Sequence, residues 1–192
     1  WSCINPCIRN RRCGFHQNRV RAPVVNLMAE RTLRGKLDGV IVNSGCANAY
    51  TGKRGFEDAK TMAQIGAEAL GIDEMNCGVA STGVIGRYLD LDLIRRQTAA
   101  VAPNLAHSSA AEDAAARAIM TTDTVPKHAL VRADGFTVAG ICKGSGMIAP
   151  NMGTMLSFVY TDADVPADTL RECLRTAVNR SLNRVVVDGD ES

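Results

Sequence analysis

The segment Lys143-Gly-Ser-Gly-Met-Ile-Ala-Pro-Asn-Met-Gly-Thr154 delivers a lone threonine from a glycine-bearing turn to the apolar run Met155-Leu-Ser-Phe-Val-Tyr160, which reads as a buried strand. The hydroxyl of a threonine at such a junction can attack the carbonyl just before it, here that of Gly153. An acyl shift and hydrolysis would then leave Thr154 as a new N-terminus, its freed amine beside its own hydroxyl. An α-amino group titrates at about 7.7–8.0, so that amine can take the hydroxyl proton near neutral pH and activate the oxygen as a nucleophile. Threonine is also stiff at χ1, which leaves few competing orientations of the oxygen. A Gly-Thr pair alone is nevertheless a weak motif, because a glycine-rich turn into a strand is usually only a turn.

Acyl transfer needs donors for the oxyanion that forms at the attacked carbonyl, each worth about 2.7–4 kcal/mol in favourable sites. A Thr-Gly pair such as Thr82 and Gly83 could supply them: glycine lets a backbone N–H approach closely, and threonine adds a hydroxyl. Read locally, the same pair is a strand-to-helix turn, Lys143 is a solvated charge, and Thr121 and Thr122 merely end a helix. His16, His107 and His128 fall in no triad or metal spacing, and Asn43, Ser44 and Asn48 suit a turn better than chemistry.

Six runs change the weight of these residues: Asn18-Arg-Val-Arg-Ala-Pro-Val24, Val42-Asn-Ser-Gly-Cys-Ala-Asn-Ala49, Ala80-Ser-Thr-Gly-Val-Ile-Gly86, Ala118-Ile-Met-Thr-Thr-Asp-Thr124, the Lys143 to Thr154 segment, and Asn183-Arg-Val-Val-Val-Asp-Gly-Asp190. In this order they resemble the ornithine acetyltransferase (glutamate N-acetyltransferase) family, self-cleaving threonine enzymes of arginine biosynthesis. The resemblance implies an αββα-type sandwich whose nucleophile, Thr154, opens a central strand after cleavage at the Gly153 carbonyl. It places the oxyanion hole at Thr82 and Gly83 and substrate binding at Lys143 and at Thr121, with Thr122 one residue away as the other choice. The Lys143 ammonium would meet the α-carboxylate that both acetylornithine and glutamate carry. Cys46 stands where the family usually has Asn, and Gly153 where it often has Ala.

The resemblance further implies ping-pong acetyl transfer from N2-acetylornithine to glutamate, with no resident cofactor and with acetyl-CoA as a co-substrate only in bifunctional members. Residues 18–153 correspond to the first (alpha) chain and 154–192 to the opening of a second (beta) chain, the two assembling as a hetero-oligomer. The family's chain continues further, so the sequence reads as a fragment that would be inactive in isolation. Two rivals stand beside this reading. In an N-terminal-nucleophile amidohydrolase or aminopeptidase, water would resolve the acyl enzyme; in a nucleotide-binding module, Gly144 and Gly146 would cradle phosphate, although no complete phosphate-loop pattern is present.

Composition narrows the field. The 192 residues suit one domain, which at this size buries roughly 70% of its unfolded surface. Arg9, Arg11, Arg12, Arg19 and Arg21 place five positive charges in an opening stretch without acids, so the body is mildly acidic although the net charge is +2. With only 4% aromatic residues, the chain lacks the basic, stacking face of a nucleic-acid binder. No apolar run is long enough to span a membrane, and seven cysteines, an odd number, fit a reducing cytoplasm. Residues 1–17 form an irregular leader: Cys3, Cys7, Cys13 and His16 lack the paired spacing of a zinc site.

An alternation of strands and helices must position the candidate residues, which argues for a layered α/β or α+β domain. A strand at Val40-Ile-Val42 meets an Asn43-Ser-Gly45 turn, and one at Gly78-Val-Ala80 leads into Ser81-Thr-Gly83. Helical spacing from Ala59 to Leu70 stops at Gly71. A helix around residues 91–102 ends before Pro103, and the next begins with Ser109 and Glu112 in capping-box spacing. Asp134-Gly135 signals a hairpin between residues 129–131 and 136–138. Pro166 opens a last amphipathic helix, after which Asn183 to Val187 reads as a strand.

Overall fold

The computed structural model describes residues 20–149 and 154–190; the leader and Gly153 lie outside the described residues. The first helix, α1 (Pro23–Thr32), was not foreseen: Pro23 fixes its first turn, and it buries Val24, Leu27, Met28 and Arg31 along one stripe. A βαβ unit follows. Strand β1 (Gly39–Cys46) and strand β2 (Cys77–Val84) pair in parallel, and α2 (Gly52–Leu70) connects them. Helix α2 stops where expected, at Gly71 in the left-handed conformation, φ 65°, which glycine adopts without a Cβ penalty.

Both faces of this small parallel sheet are buried. Ile41, Cys77 and Val79 face α1 and α2 in a core with Leu27, Met28, Ala59, Met62 and Ala63. Gly66 lets α2 approach: a Cβ there would lie 2.9 Å from Cys77 Sγ and 3.0 Å from Ile41. Arg31, 1% exposed, ties α1 to the second strand by donating to the Glu74 and Cys77 carbonyls and pairing with the Glu74 carboxylate.

Helices α3 (Leu91–Val101) and α4 (Ser109–Ala118) follow. The cap of α4 is Ser108 rather than Ser109, its Oγ accepting from the Ala111 N–H at 3.2 Å. Strands β3 (Lys127–Ala133), β4 (Phe136–Lys143) and β5 (Leu156–Thr161) then form an antiparallel sheet in that order, with the expected hairpin turning at Asp134 and Gly135, φ 87°. Val40, Val42 and Ala80 on the other face of β1 and β2 join Ala115, Ala116 and Ile119 from α4 and its end, Ile141 from β4, and Leu156 and Phe158 from β5. The layered α/β class is therefore as expected. The last helix, α5 (Ala167–Arg180), buries none of its residues.

Four local expectations need correction. Asn43 to Gly45 and Ser81 to Gly83 are not turns but continue the ladder, Asn43 opposite Ser81 and Gly45 opposite Gly83. Their polar and glycine-rich composition imitates a turn, yet parallel pairing carries the backbone on. Strand β5 is only half-buried, and on one side, with Ser157 and Val159 exposed on the other, and it begins two residues after Thr154. Residues 185–187 are not a strand; a 3-10 turn at Leu182–Arg184 precedes them, and the Val187 N–H donates across to the Ile148 carbonyl at 3.0 Å.

Candidate active site

Three of the expected residues meet where the end of β4 reaches the end of β2. Lys143, the last residue of β4, is 3% exposed. Its Nζ donates to Thr82 Oγ1 at 2.7 Å and to the Thr154 carbonyl at 3.4 Å. The local expectation of a solvated lysine is thereby corrected: the side chain crosses from one sheet to the other and bridges the two threonines. Burial pushes the Lys143 ammonium below the ordinary lysine value; Asp123 and Cys142 oppose that fall, and Lys127 adds to it.

Thr82 is buried and accepts the lysine's hydrogen bond, which leaves its own hydroxyl proton to donate. Gly83 follows it with φ 130°, directly opposite Gly45. A Cβ at Gly83 would lie 2.3 Å from the Gly45 carbonyl carbon and 2.6 Å from the Cys46 nitrogen. Only glycine fits that close approach of two backbones. Thr154 is half-buried and holds φ 62°, a left-handed conformation in which a β-branched residue is strained by about 1–3 kcal/mol.

Thr121 stands apart from this cluster and is exposed, as is Thr122. Its link to the site is a residue to which the sequence assigned no role. The Asp123 side chain is fully buried and pairs with Lys127. Its Oδ1 also accepts the Gly144 N–H at 2.8 Å, and its Oδ2 the Thr121 N–H at 3.3 Å. Burial pushes the Asp123 carboxyl up, but the bonds from Lys127, Gly144 and Thr121 more than offset this and hold it below the usual value.

Asp188 was also missed. Its Oδ2 accepts from the Met147 N–H at 2.7 Å and its Oδ1 from the Ile148 N–H at 3.1 Å. These bonds dock the residues after α5 onto the loop that leads toward Thr154. The Met147 N–H, with those of Asp190 and Ile148, holds the Asp188 carboxyl low. The available signal was an aspartate inside each of two matched runs, but its partners lie 21 residues away for Gly144 and 41 for Met147.

Of the weaker candidates, Asn43 and Ser44 lie in β1 rather than in a turn, and His16 is outside the described residues. His107 and His128 are exposed, and Asn48 shapes the approach to α2, its side chain donating to Gly55 O and accepting from Thr51 Oγ1, both at 2.8 Å. Among the described residues no group of His, Cys, Asp or Glu could hold a metal ion, and no helix is long and apolar enough to cross a membrane.

Fold and site together define a layered α/β protein with a threonine-lysine-threonine cluster at one strand end, its lysine and Thr82 buried and Thr154 half-buried. The chain belongs to the ArgJ family, whose model matches residues 8–192. It is 52% identical over 180 residues to the glutamate N-acetyltransferase of Methanosarcina mazei, covering 93% of this chain and 46% of that protein. It is 51% identical over 182 residues to the arginine biosynthesis bifunctional protein ArgJ of Symbiobacterium thermophilum, covering 93% and 45%. The chain thus spans about half the length of the curated relatives it matches. Among solved structures, the ArgJ protein of Bacillus halodurans superposes with a TM-score of 0.69 at 40% identity, over 81% of each chain. Ornithine acetyltransferase of Mycobacterium tuberculosis, solved with ornithine, does so with a TM-score of 0.75 at 35% identity, over 81% of this chain and 82% of that one.

Proposed function

We propose that the protein is a glutamate N-acetyltransferase of arginine biosynthesis that works through an acetyl-threonine at Thr154. The observation that carries this reading is the Lys143 ammonium held between Thr82 Oγ1 and the Thr154 carbonyl, which sets a buried cation, a hydroxyl donor and the nucleophile together. In the first event the Thr154 hydroxyl attacks the Gly153 carbonyl, the C–N bond breaks so that the amide becomes an ester and the Thr154 nitrogen a free amine, and water then hydrolyses that ester to the carboxylate of residue 153 and the Thr154 hydroxyl. The left-handed φ of Thr154 favours this event, because its crowding involves the preceding carbonyl and ends when that bond is cut.

In the transfer cycle the freed amine takes the Thr154 hydroxyl proton while the oxygen attacks the acetyl carbonyl of N2-acetylornithine. The Thr82 hydroxyl and the Gly83 N–H stabilise the oxyanion, the proton passes to the departing ornithine nitrogen, and the acetyl group stays on Thr154 as an ester. The amine of glutamate then attacks that ester, giving N-acetylglutamate and restoring the hydroxyl. Lys143 and Thr121 hold the substrate α-carboxylates. No resident cofactor takes part; acetyl-CoA serves as a second acetyl donor if the protein is of the bifunctional kind. The cleaved alpha and beta chains stay together as a hetero-oligomer in a reducing cytoplasm, a setting that suits the free thiols of Cys46, Cys77, Cys142 and Cys173.

Intact mass of the full product of its gene tests the reading. Two pieces parted between residues 153 and 154 are expected, with ornithine released only when acetylornithine is supplied. Thr154→Ala should stay in one piece and lose transfer altogether. A Thr154→Ala protein that still exchanged acetyl groups would end the proposal, and free acetate formed independently of glutamate would favour a hydrolase.

A further inference from the structure

Among the described residues, Asp123 is the one buried carboxylate that reaches two of the site's loops at once. Its two oxygens take the Thr121 N–H and the Gly144 N–H at 3.3 and 2.8 Å. Gly144 immediately follows Lys143, and Thr121 lies in the segment after α4, so one side chain fixes the spacing between these two loops. Gly144 holds φ 150°, and Lys143 beside it must leave β4 at the angle that carries its Nζ to Thr82. A neutral amide could not replace this carboxylate: turned to accept from Gly144, its NH2 would point at the Thr121 N–H, donor against donor. The carboxylate is neutralised in place by Lys127, which enters from the start of β3.

We infer that Asp123 is a positioning residue for acyl transfer: by holding Thr121 and Gly144 on its two oxygens it sets the Lys143 ammonium where the substrate carboxylate must bind. This rests on the proposed function above. Asp123 acts through Lys143 in two ways, by geometry and by charge. The charged and titratable groups that act on Lys143 are Asp123 and Cys142, which help it keep its proton, and Lys127, which does the reverse. Asp123, from the 121–124 loop, and Lys127, from the start of β3, therefore predict shifts of opposite sign when each is removed.

The test uses the full product of the gene, with three variants, and measures self-cleavage by intact mass and KM and kcat for N2-acetylornithine across pH. Asp123→Asn should raise KM at least about tenfold, the loss of one charge-assisted hydrogen bond, with a smaller change in kcat, and should move the alkaline rise of KM to lower pH. Lys127→Met should move that rise to higher pH. A merely structural carboxylate would lower the amount of folded protein without moving the alkaline limb in either direction. If Asp123→Asn does not fold, Lys127→Met decides by itself: an unmoved or downward-shifted limb overturns the inference. Thr154→Ala separates the two levels. If that variant is active, the acetyl-transfer reading falls and takes this inference with it; if it is inactive while Asp123→Asn and Lys127→Met keep the parental profile, only the role of Asp123 is overturned.

Discussion

Lys143 is charged in a setting that penalises charge, and its two hydrogen bonds, to Thr82 and to Thr154, compensate for only part of the hydration it gives up. The sign of the consequence follows from the lowered affinity for its proton. Below its depressed pKa the side chain is an ammonium and can hold a carboxylate; as pH rises through that value, the charge and the binding go together. KM for acetylornithine should therefore be level around neutral pH and climb about tenfold per pH unit once the lysine deprotonates, at a pH lower than the ~10.4 of a solvated lysine. A KM that stayed level to that value would show that Lys143 does not bind the carboxylate. Lys143→Met should raise KM roughly 10- to 100-fold through the lost charged hydrogen bond, and titration of KM against pH should then be flat. The acid side of kcat should instead follow the Thr154 amine, which must be free of its proton to act as base, near the usual α-amino value of about 7.7–8.0.

At the level of elements, two glycines with positive φ differ sharply in what depends on them. Gly71 ends α2 at φ 65° with open space where a Cβ would go, so Gly71→Ala should cost only about 1–2 kcal/mol, the strain of the left-handed conformation. Gly83 has φ 130° and faces the Gly45 backbone at 2.3 Å from any added Cβ, and backbone cannot step aside as a flexible side chain can. Gly83→Ala should cost more than about 3 kcal/mol and abolish transfer, since the β1 and β2 ends must part and carry Thr82 away from Lys143. Denaturant unfolding of the two variants side by side checks the contrast; equal losses would mean that the Gly45 contact does not constrain the strand ends.

For the molecule as a whole, the site depends on a joint between two sheets that the chain builds far apart. Ile119, 2% exposed, sits in the cluster that unites Val42 of β1, Ile141 of β4 and the side of β5. Ile119→Ala should destabilise by about 2–5 kcal/mol and lower kcat with it, because loosening this cluster frees β4, and so Lys143, relative to β2. The equivalent truncation of Leu27 in the other core, 4% exposed, should cost similar stability and leave kcat nearly unchanged in the protein that remains folded. Measuring kcat per folded molecule for both variants decides whether the second cluster has that positioning role.

The sequence by itself determined what short-range chemistry can determine. Thr154 and its glycine-bearing approach, the Asp134-Gly135 hairpin and the stop of α2 at Gly71 are properties of a few neighbouring residues, governed by φ preference, periodicity and side-chain type, whereas Thr82, Gly83, Thr121 and Lys143 stood out only through the resemblance of their runs to a known family. Even there, local composition misread the ends of β1 and β2, where glycine signals a turn or a close backbone approach equally well. The tertiary structure alone decided that Lys143 is buried and crosses 61 residues of sequence to reach Thr82, that Asp123 and Asp188 hold loops, and that residues 185–187 add to no sheet. These outcomes depend on which surfaces the packed layers bring together. A buried charge is tolerable only where distant partners arrive to satisfy it, and no local pattern of residues records their arrival.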